Sequence, residues 1–201
     1  MEKIFTEIYK NSLWGNNNQE EYNGSSGTGS DIEYNVNSYV PFLKNFINNN
    51  NIKSVIDLGC GDFRCGELIY NDINVSYTGY DAYKNVIEYN KNKFVLNSKI
   101  NFIHLDFYNN MDKIEGGELC ILKDVLQHWS TNSINIFLDY LITSKKFKYI
   151  LICNCCYQEQ CNTDIKDGEF RYLSCDFLPL KKFNPVKIFN YKSKEISIIK
   201  I

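Results

Sequence analysis

Apolar positions along this chain fall into two alternating rhythms. Short, mostly apolar runs occur at Ser54 to Leu58, Ser76 to Tyr80, Ile100 to Leu105, Leu119 to Leu122 and Tyr149 to Cys153. Such runs predict strands buried on both faces. Between them, helical spacing appears at Cys65 to Tyr70, Lys84 to Asn92 and Thr131 to Thr143, with Ser130 placed as an N-cap for the last. Strand alternating with helix predicts a doubly wound, mostly parallel sheet with right-handed crossovers. The C-terminus breaks the pattern. Val186 to Tyr191 and Ile196 to Ile201 flank Lys192 to Glu195 with no helix between them, which predicts an antiparallel β-hairpin and seven strands in all.

The N-terminal quarter has a different texture. Ile4, Phe5 and Ile8 share one face of a helix, and Trp14-Gly15 follows it. A polar, glycine-rich stretch from Asn16 to Ser30 cannot build core, so a loop or lid is expected there. From Asp31 a second amphipathic run carries Val36, Tyr39, Val40, Leu43, Phe46 and Ile47, and the tract Asn48 to Asn51 ends it. The expected organisation is a single domain, residues 1–201, with helices and lid in 1–50 and an α/β core in 51–201.

Composition narrows the partners. The chain has 201 residues, 44% hydrophobic and 15% aromatic, enough for one substantial core. A net charge of -2 and a pI near 5.8 provide no global positive field for nucleic acid or an anionic membrane. Lys181, Lys182, Lys187, Lys192, Lys194 and Lys200 are read as a solvated strand face, because apolar and polar residues alternate there. Met-Glu-Lys-Ile-Phe5 is not a basic region followed by an apolar one, and no apolar run reaches a membrane span. A cytoplasmic protein is expected. Cys153, Cys155, Cys156 and Cys161 lack paired C-x-x-C spacing, and only His104 and His128 could supply imidazole, so no metal is expected.

The chemistry concentrates at Val55-Ile-Asp-Leu-Gly-Cys-Gly61, a buried strand running into a glycine turn. Twenty residues past Gly61, Asp81 ends the next strand. Glycines admit close backbone approach to a ligand, and a carboxylate at the neighbouring strand tip suits the two hydroxyls of a ribose. A dinucleotide fingerprint wants a third glycine where this chain has Arg64, and Gly66 comes two residues late. Without a pyrophosphate to cradle, that close approach is unnecessary.

Four segments resemble the class I S-adenosylmethionine (SAM) dependent methyltransferases. Asp57-Leu-Gly-Cys-Gly61 resembles the family's first motif, which implies that Asp57, Gly59, Cys60 and Gly61 pack against SAM. Asp81 matches its ribose-binding acid. His104-Leu-Asp-Phe107 resembles the third-strand motif, implying adenine contacts for Asp106 and Phe107. Leu122-Lys-Asp-Val-Leu-Gln-His128 falls where the family lines its methyl-transfer pocket, which brings in Lys123, Asp124 and His128. Phe5 to Tyr9, Trp14-Gly15 and Ser26-Gly-Thr-Gly-Ser30 are similar to a group of small, single-domain bacterial and viral methyltransferases. In that group the loop is expected to close over SAM, so Trp14 and Ser30 join the cofactor set. Some members sit among sugar-modifying genes. The same group has an Asn, a Gly and an Arg where this chain has Asn162, Gly168 and Arg171, which makes Asn162 and Arg171 candidates for binding the acceptor.

Each residue also has a plainer reading. Asp57 can order the glycine loop, Asp81 can cap the helix beginning at Lys84, and Asp106 can end a strand. Trp14 can plug the core, Lys123 and Asp124 can pair with each other, and Arg171 can form a surface ion pair. His104, inside Phe102 to Leu105, reads as a core or sheet-edge residue. His128 carries the sharpest alternative: a general base removing the acceptor's proton, or an orienting residue packed by Trp129. Alignment of the acceptor supplies about 7–11 kcal/mol, and proton transfer a further ~10²–10⁴-fold. The expected function is methyl transfer from SAM to a hydroxyl or amine of a small polar acceptor, a sugar or glycan precursor. The alternatives are an NAD(P) oxidoreductase and a non-catalytic SAM-binding module. Nucleic-acid base methylation is disfavoured, because Lys123-Asp-Val-Leu126 stands where an Asn/Asp-Pro-Pro-aromatic motif would lie.

Overall fold

The short apolar runs are strands. The computed structural model describes residues 1–16, 22–157 and 163–201, and the chain forms two units, Met1–Phe107 and Tyr108–Ile201. In the first, β1 (Ser54–Leu58), β2 (Ser76–Asp81) and β3 (Ile100–His104) pair in parallel in the order β3-β2-β1. Leu58 lies opposite Tyr80 and Asp81 opposite His104. That register puts the end of β1 and the tip of β2 side by side, which decides where the glycine turn meets Asp81.

Helices α4 (Gly66–Tyr70) and α5 (Lys84–Lys93) follow β1 and β2, and α5 packs on β2 and β3. Beneath the glycine turn lies an aromatic core. The Phe63 ring is 4.7 Å from Tyr77 and 5.1 Å from both Phe94 and Phe102, within the range of favourable ring pairs. This core explains the late glycine: a Cβ on Gly66 would lie 2.0 Å from the Phe63 ring.

The two N-terminal helical runs form with two changes, and residues 17–21 of the stretch expected as a loop or lid lie outside the described residues. Helix α1 (Glu2–Lys10) buries Ile8 and Tyr9, while Ile4 remains 37% exposed, so the inward face is turned toward Tyr9. The amphipathic run after Asp31 is two helices, α2 (Ile32–Asn35) and α3 (Tyr39–Asn49). Pro41 lies in the first turn of α3, where proline is tolerated. A continuous helix would drive its ring into the carbonyl of residue 37. Ser38 accordingly leaves the helical region at φ -138° and ψ -81°. Val36 lies in the break and is exposed, whereas Tyr39, Val40, Leu43 and Ile47 form the buried stripe.

In the second unit β4 (Leu119–Lys123) pairs in parallel with β5 (Tyr149–Cys155), then β7 (Lys194–Lys200) and β6 (Val186–Tyr191) follow antiparallel, in the order β4-β5-β7-β6. Leu119 to Leu122 and Ile150 to Asn154 are buried, as expected for strands covered on both faces. Helix α6 (Thr131–Ser144) starts as predicted, the Ser130 hydroxyl accepting from the Ser133 N–H at 3.2 Å. Ile134, Phe137, Leu138 and Leu141 are its buried stripe. The seven strands, mostly parallel and ending in an antiparallel hairpin, form the α/β architecture that the sequence predicts. Among the described residues, no helix is long and apolar enough to cross a membrane.

The hairpin carries the main correction. Its turn is two residues, Lys192-Ser193, with Lys192 at φ +49°, so β7 begins at Lys194 rather than Ile196. Lys194, read as solvated, is 2% exposed, and Lys187 pairs with Asp176 at 2.5 Å and Glu195 at 2.8 Å. Apolar and polar residues do alternate here, but Lys194 and Glu195, on opposite faces of β7, are both buried and their charges are matched internally.

Candidate functional site

In the first unit, the turn after β1 is held from both sides. The Gly61 N–H donates to Asp81 Oδ2 at 3.0 Å, and its carbonyl accepts from the Asn90 side chain at 2.7 Å. Gly59 and Cys60 both donate to the Tyr80 carbonyl, at 2.8 and 3.0 Å. Gly61 adopts φ +53°, and a Cβ there would sit 2.5 Å from Ser26 Oγ, so both conformation and space require glycine. Asp81 is 8% exposed, and its other oxygen accepts from the Tyr83 N–H at 2.9 Å. Burial pushes its carboxyl up, while the two N–H groups oppose the shift. Tyr83, not Asp81, is the N-cap position of α5. Asp81 thus orders the turn and retains lone pairs for a ligand.

A strap packs onto this turn. Ser26 Oγ accepts from the Asp62 N–H at 2.9 Å and is bonded to the Tyr9 hydroxyl at 2.8 Å. The Tyr9 ring stacks on Tyr83 with centroids 4.4 Å apart. Burial first, then Asp81 and Asp62, holds the Tyr9 phenol well above its ordinary value, so it remains protonated. Arg64, at the position of the absent third glycine, reaches Asp31 at 2.6 Å, Asp62 at 2.8 Å and Ser25 at 3.4 Å. It ties the strap to the turn. Asp62 is 4% exposed and accepts from Arg64 and Tyr22 through Oδ2; Oδ1 is buried and has no hydrogen-bond partner among the described residues. Burial raises its carboxyl, an effect opposed by Arg64.

The remaining candidates of this unit divide. Asp57 accepts from the buried Tyr77 hydroxyl at 2.9 Å. Burial pushes the Cys60 thiol far up, which removes it as a nucleophile. Asp106 is 9% exposed and accepts from the Glu2 N–H at 2.8 Å, seating the start of α1, and Phe107 beside it is buried. Trp14 packs against Phe5 and Tyr9, at 5.9 and 5.7 Å. Ser30 turns back on the strap, donating to the Gly27 carbonyl at 2.7 Å, so Ser26 rather than Ser30 contacts the turn. His104 Nε2 lies 3.1 Å from the Ala82 carbonyl and 3.2 Å from Glu2, a sheet-edge role.

The second unit collects the other candidates at the end of β4. Asp124 is left-handed at φ +60°, and its N–H donates to the Cys153 carbonyl at 2.8 Å. Its carboxylate accepts from Lys123 Nζ at 2.8 Å and from Lys194 Nζ. Burial would raise this carboxyl, but the two ammonium groups prevail and hold it at about 2. At that value it is a weak proton acceptor and a strong fixed charge. Sequence reading had found the Lys123 partner but missed Lys194.

His128 follows in the turn Leu126–His128 and is 8% exposed. Nδ1 is 3.0 Å from the Glu169 carbonyl, Nε2 is 3.4 Å from Gln127 Nε2, and burial lowers the imidazole from its ordinary value. Phe170 lies 5.8 Å from the imidazole, and Tyr172 and Tyr157 continue the run of rings at 5.2 and 5.9 Å. Phe170 and Tyr157 are about half exposed. Trp129 packs on Phe137 and Tyr108.

Arg171 is 5% exposed, with its guanidinium hydrogen-bonded to Thr131 Oγ1, the Thr163 and Trp129 carbonyls and Asp164. Asp164 and Asp167 accept from the N–H groups of Thr131 and Ser130 at 2.8 and 2.7 Å, placing acids at the positive end of α6. Much of the polarity read as pocket lining therefore caps a helix. Asn162 lies outside the described residues.

No family model and no curated protein sequence matches the chain. Solved structures do. The methyltransferase domain of bacterial CtHen1 superposes with a TM-score of 0.63 at 15% identity, over 81% of this chain and 97% of that one. An O-methyltransferase family protein from Burkholderia thailandensis gives 0.63 at 9% identity, over 81% and 55%. Human N-acetylserotonin methyltransferase in complex with SAM gives 0.59 at 16% identity, over 81% and 54%. This chain spans about half the length of the latter two. It has the methyltransferase fold.

Proposed function

We propose that the chain is a single SAM-dependent methyltransferase domain, residues 1–201, acting on a hydroxyl or amine of a small polar acceptor, with a sugar or glycan precursor as the preferred class. One observation carries the reading: in a methyltransferase fold, the glycine turn is ordered through the carboxylate of Asp81, itself at the tip of the next strand. The residues fit the cofactor. Asp81 offers lone pairs for ribose hydroxyls, and Asp62 Oδ1, a buried acceptor with no partner among the described residues, suits a ligand ammonium. The human neighbour binds SAM in its solved complex. When bound, SAM supplies an electrophilic methyl group.

The protein's own residues then have separable tasks. Asp81, Asn90 and Ser26 fix the turn; Gly59, Cys60 and Gly61 form its backbone; Asp57, Asp106, Phe107 and Trp14 complete the proposed cofactor set. Neutral His128 accepts the acceptor's proton at Nε2, and its lowered basicity keeps it unprotonated at neutral pH. Asp124 acts as an ionised neighbour that holds Lys123 and Lys194. The rings of Phe170 and Tyr172 offer apolar faces to the C–H face of a pyranose, which supports a sugar as acceptor.

Calorimetry with SAM, S-adenosylhomocysteine and NAD tests the cofactor, and NAD binding without SAM binding would overturn the reading. Labelled SAM offered with a panel of sugars, nucleotide sugars and amines tests transfer. His128→Ala should reduce turnover by about 10²-fold or more while leaving S-adenosylhomocysteine affinity within about twofold. Binding without transfer to any acceptor would favour a non-catalytic module.

A further inference from the structure

Gln127 is 4% exposed and stands beside His128 in the same turn, and its two amide ends face different partners. Oε1 accepts from the Cys155 N–H at 2.6 Å, which fixes the amide's orientation, because a backbone N–H must face the oxygen. The NH2 end is therefore the one that lies 3.4 Å from His128 Nε2. On the far side of the ring, Nδ1 lies 3.0 Å from the Glu169 carbonyl, which can only accept. Both contacts point to one protonation state. Nδ1 carries the proton and Nε2 presents its lone pair to an amide donor. A proton on Nε2 would face the amide's own hydrogens.

We propose that Gln127 is a positioning residue that, with the Glu169 carbonyl, reserves the Nδ1–H tautomer of His128 and so keeps Nε2 unprotonated, with its lone pair toward the amide donor. This deepens the reading of His128 as the base, and rests on it for its functional meaning. The 3.4 Å contact is long for a hydrogen bond, so a closer hydroxyl donor can replace the amide at Nε2. The arrangement is itself braced. The Gly168 N–H donates to the His128 carbonyl at 2.8 Å and the Arg171 N–H to the Gln127 carbonyl at 3.0 Å, holding the Glu169 carbonyl between two anchored neighbours. Arg171 Nη2 adds a bond to the Trp129 carbonyl at 3.0 Å. Among the described residues, Asp124 favours protonation of the imidazole and Lys194 opposes it.

The test is side-chain ¹⁵N NMR of histidine-labelled protein across a pH titration, with neither SAM nor acceptor added. Only two histidines are present, so His104→Gln assigns the His128 signal. The expected result is the Nδ1–H tautomer for His128, opposite to the preference of a free imidazole side chain. Gln127→Glu still accepts from Cys155 but turns an acceptor toward Nε2. The His128 titration midpoint should then rise by about one pH unit or more. Gln127→Leu, which removes the amide without adding charge, should admit the Nε2–H form. An Nε2–H tautomer in the wild-type protein would overturn the proposal, and that spectrum decides even if a variant fails to fold. An unmoved titration in folded Gln127→Glu would overturn it as well. Since no methyl transfer is measured, failure of the methyltransferase reading shows up separately, as absence of SAM binding or turnover.

Discussion

Asp124→Asn isolates the strongest electrostatic commitment in the second unit. The carboxylate lies between Lys123 and Lys194, whose side chains are 16% and 1% exposed, and it is itself 18% exposed. Its fall from the ordinary 3.8 to about 2 corresponds to about 2–3 kcal/mol, at roughly 1.4 kcal/mol per tenfold change in proton affinity. Removing the charge also leaves Lys194 buried and short of its counterion, and breaking a buried pair costs about 3–5 kcal/mol. A loss of about 3 kcal/mol at pH 7 is therefore expected, measured by urea unfolding monitored by circular dichroism. The pH dependence has a definite sign. A carboxyl whose folded value is depressed stabilises fully above its unfolded value, and that stabilisation is lost as pH falls from about 3.8 toward 2. The difference between wild type and variant should be constant from about pH 7 to 5 and shrink below about pH 4. Adding Lys194→Met should recover much of the loss, because it removes the charge left without its partner. A destabilisation below about 1 kcal/mol, or one unchanged at pH 3, would refute the assignment of Asp124 as the counterion of Lys194.

Three further outcomes follow from the same geometry. Asp81→Ala should weaken S-adenosylhomocysteine binding by at least about tenfold in calorimetry, since it removes both the proposed ribose acceptor and the anchor of the Gly61 N–H; unchanged affinity would eliminate the ribose assignment. Gly61→Ala meets Ser26 Oγ at 2.5 Å and forces φ +53° on a residue with a Cβ, so a loss of about 1–3 kcal/mol in thermal or urea unfolding is expected. Ser26→Ala added to it should restore only the steric part, and full restoration would mean that the backbone conformation costs little. For His128, burial lowers the folded value, so its contribution to stability is fully present above the unfolded value of about 6.5 and declines as pH falls toward the folded one. His128→Gln should flatten that limb of the stability profile, and an unchanged profile would place the titration elsewhere.

How much of this was legible in the sequence depends on what each residue answers to. Strands buried on both faces announce themselves by composition, which is why β1 has the predicted limits and β4 differs by one residue. The break between α2 and α3 is also written there, in Pro41, although the apolar spacing of Val36 to Ile47 is that of one continuous helix. The hairpin was misjudged at its turn for a related reason. Lys192 to Glu195 is a run of polar residues and reads as loop, yet Lys194 and Glu195 are strand residues whose charges find partners inside the protein. Polarity predicts exposure only when no countercharge waits in the fold.

The site divides along the same line. Gly61 and Asp81 were recoverable because their roles are backbone roles, set by a turn and a strand end that lie close in sequence. Asn90 left a fainter sign: it occupies the buried stripe of α5 with Val86 and Ile87, a polar residue where an apolar one is expected. Such a position implies a buried partner, and the Gly61 carbonyl is that partner. Nothing comparable marks Gln127, Glu169 or Lys194 in the sequence. Their meaning comes from β5, β7 and the segment before Arg171 returning to the end of β4, contacts separated by 28, 70 and 41 residues. Sequence can therefore nominate the imidazole that carries a proton, but its tautomer is decided by groups that only the fold brings to it. This is why measuring the tautomer of His128 tests the site more sharply than substituting the histidine: the substitution asks whether His128 matters, whereas the tautomer asks whether its surroundings prepare Nε2 to act.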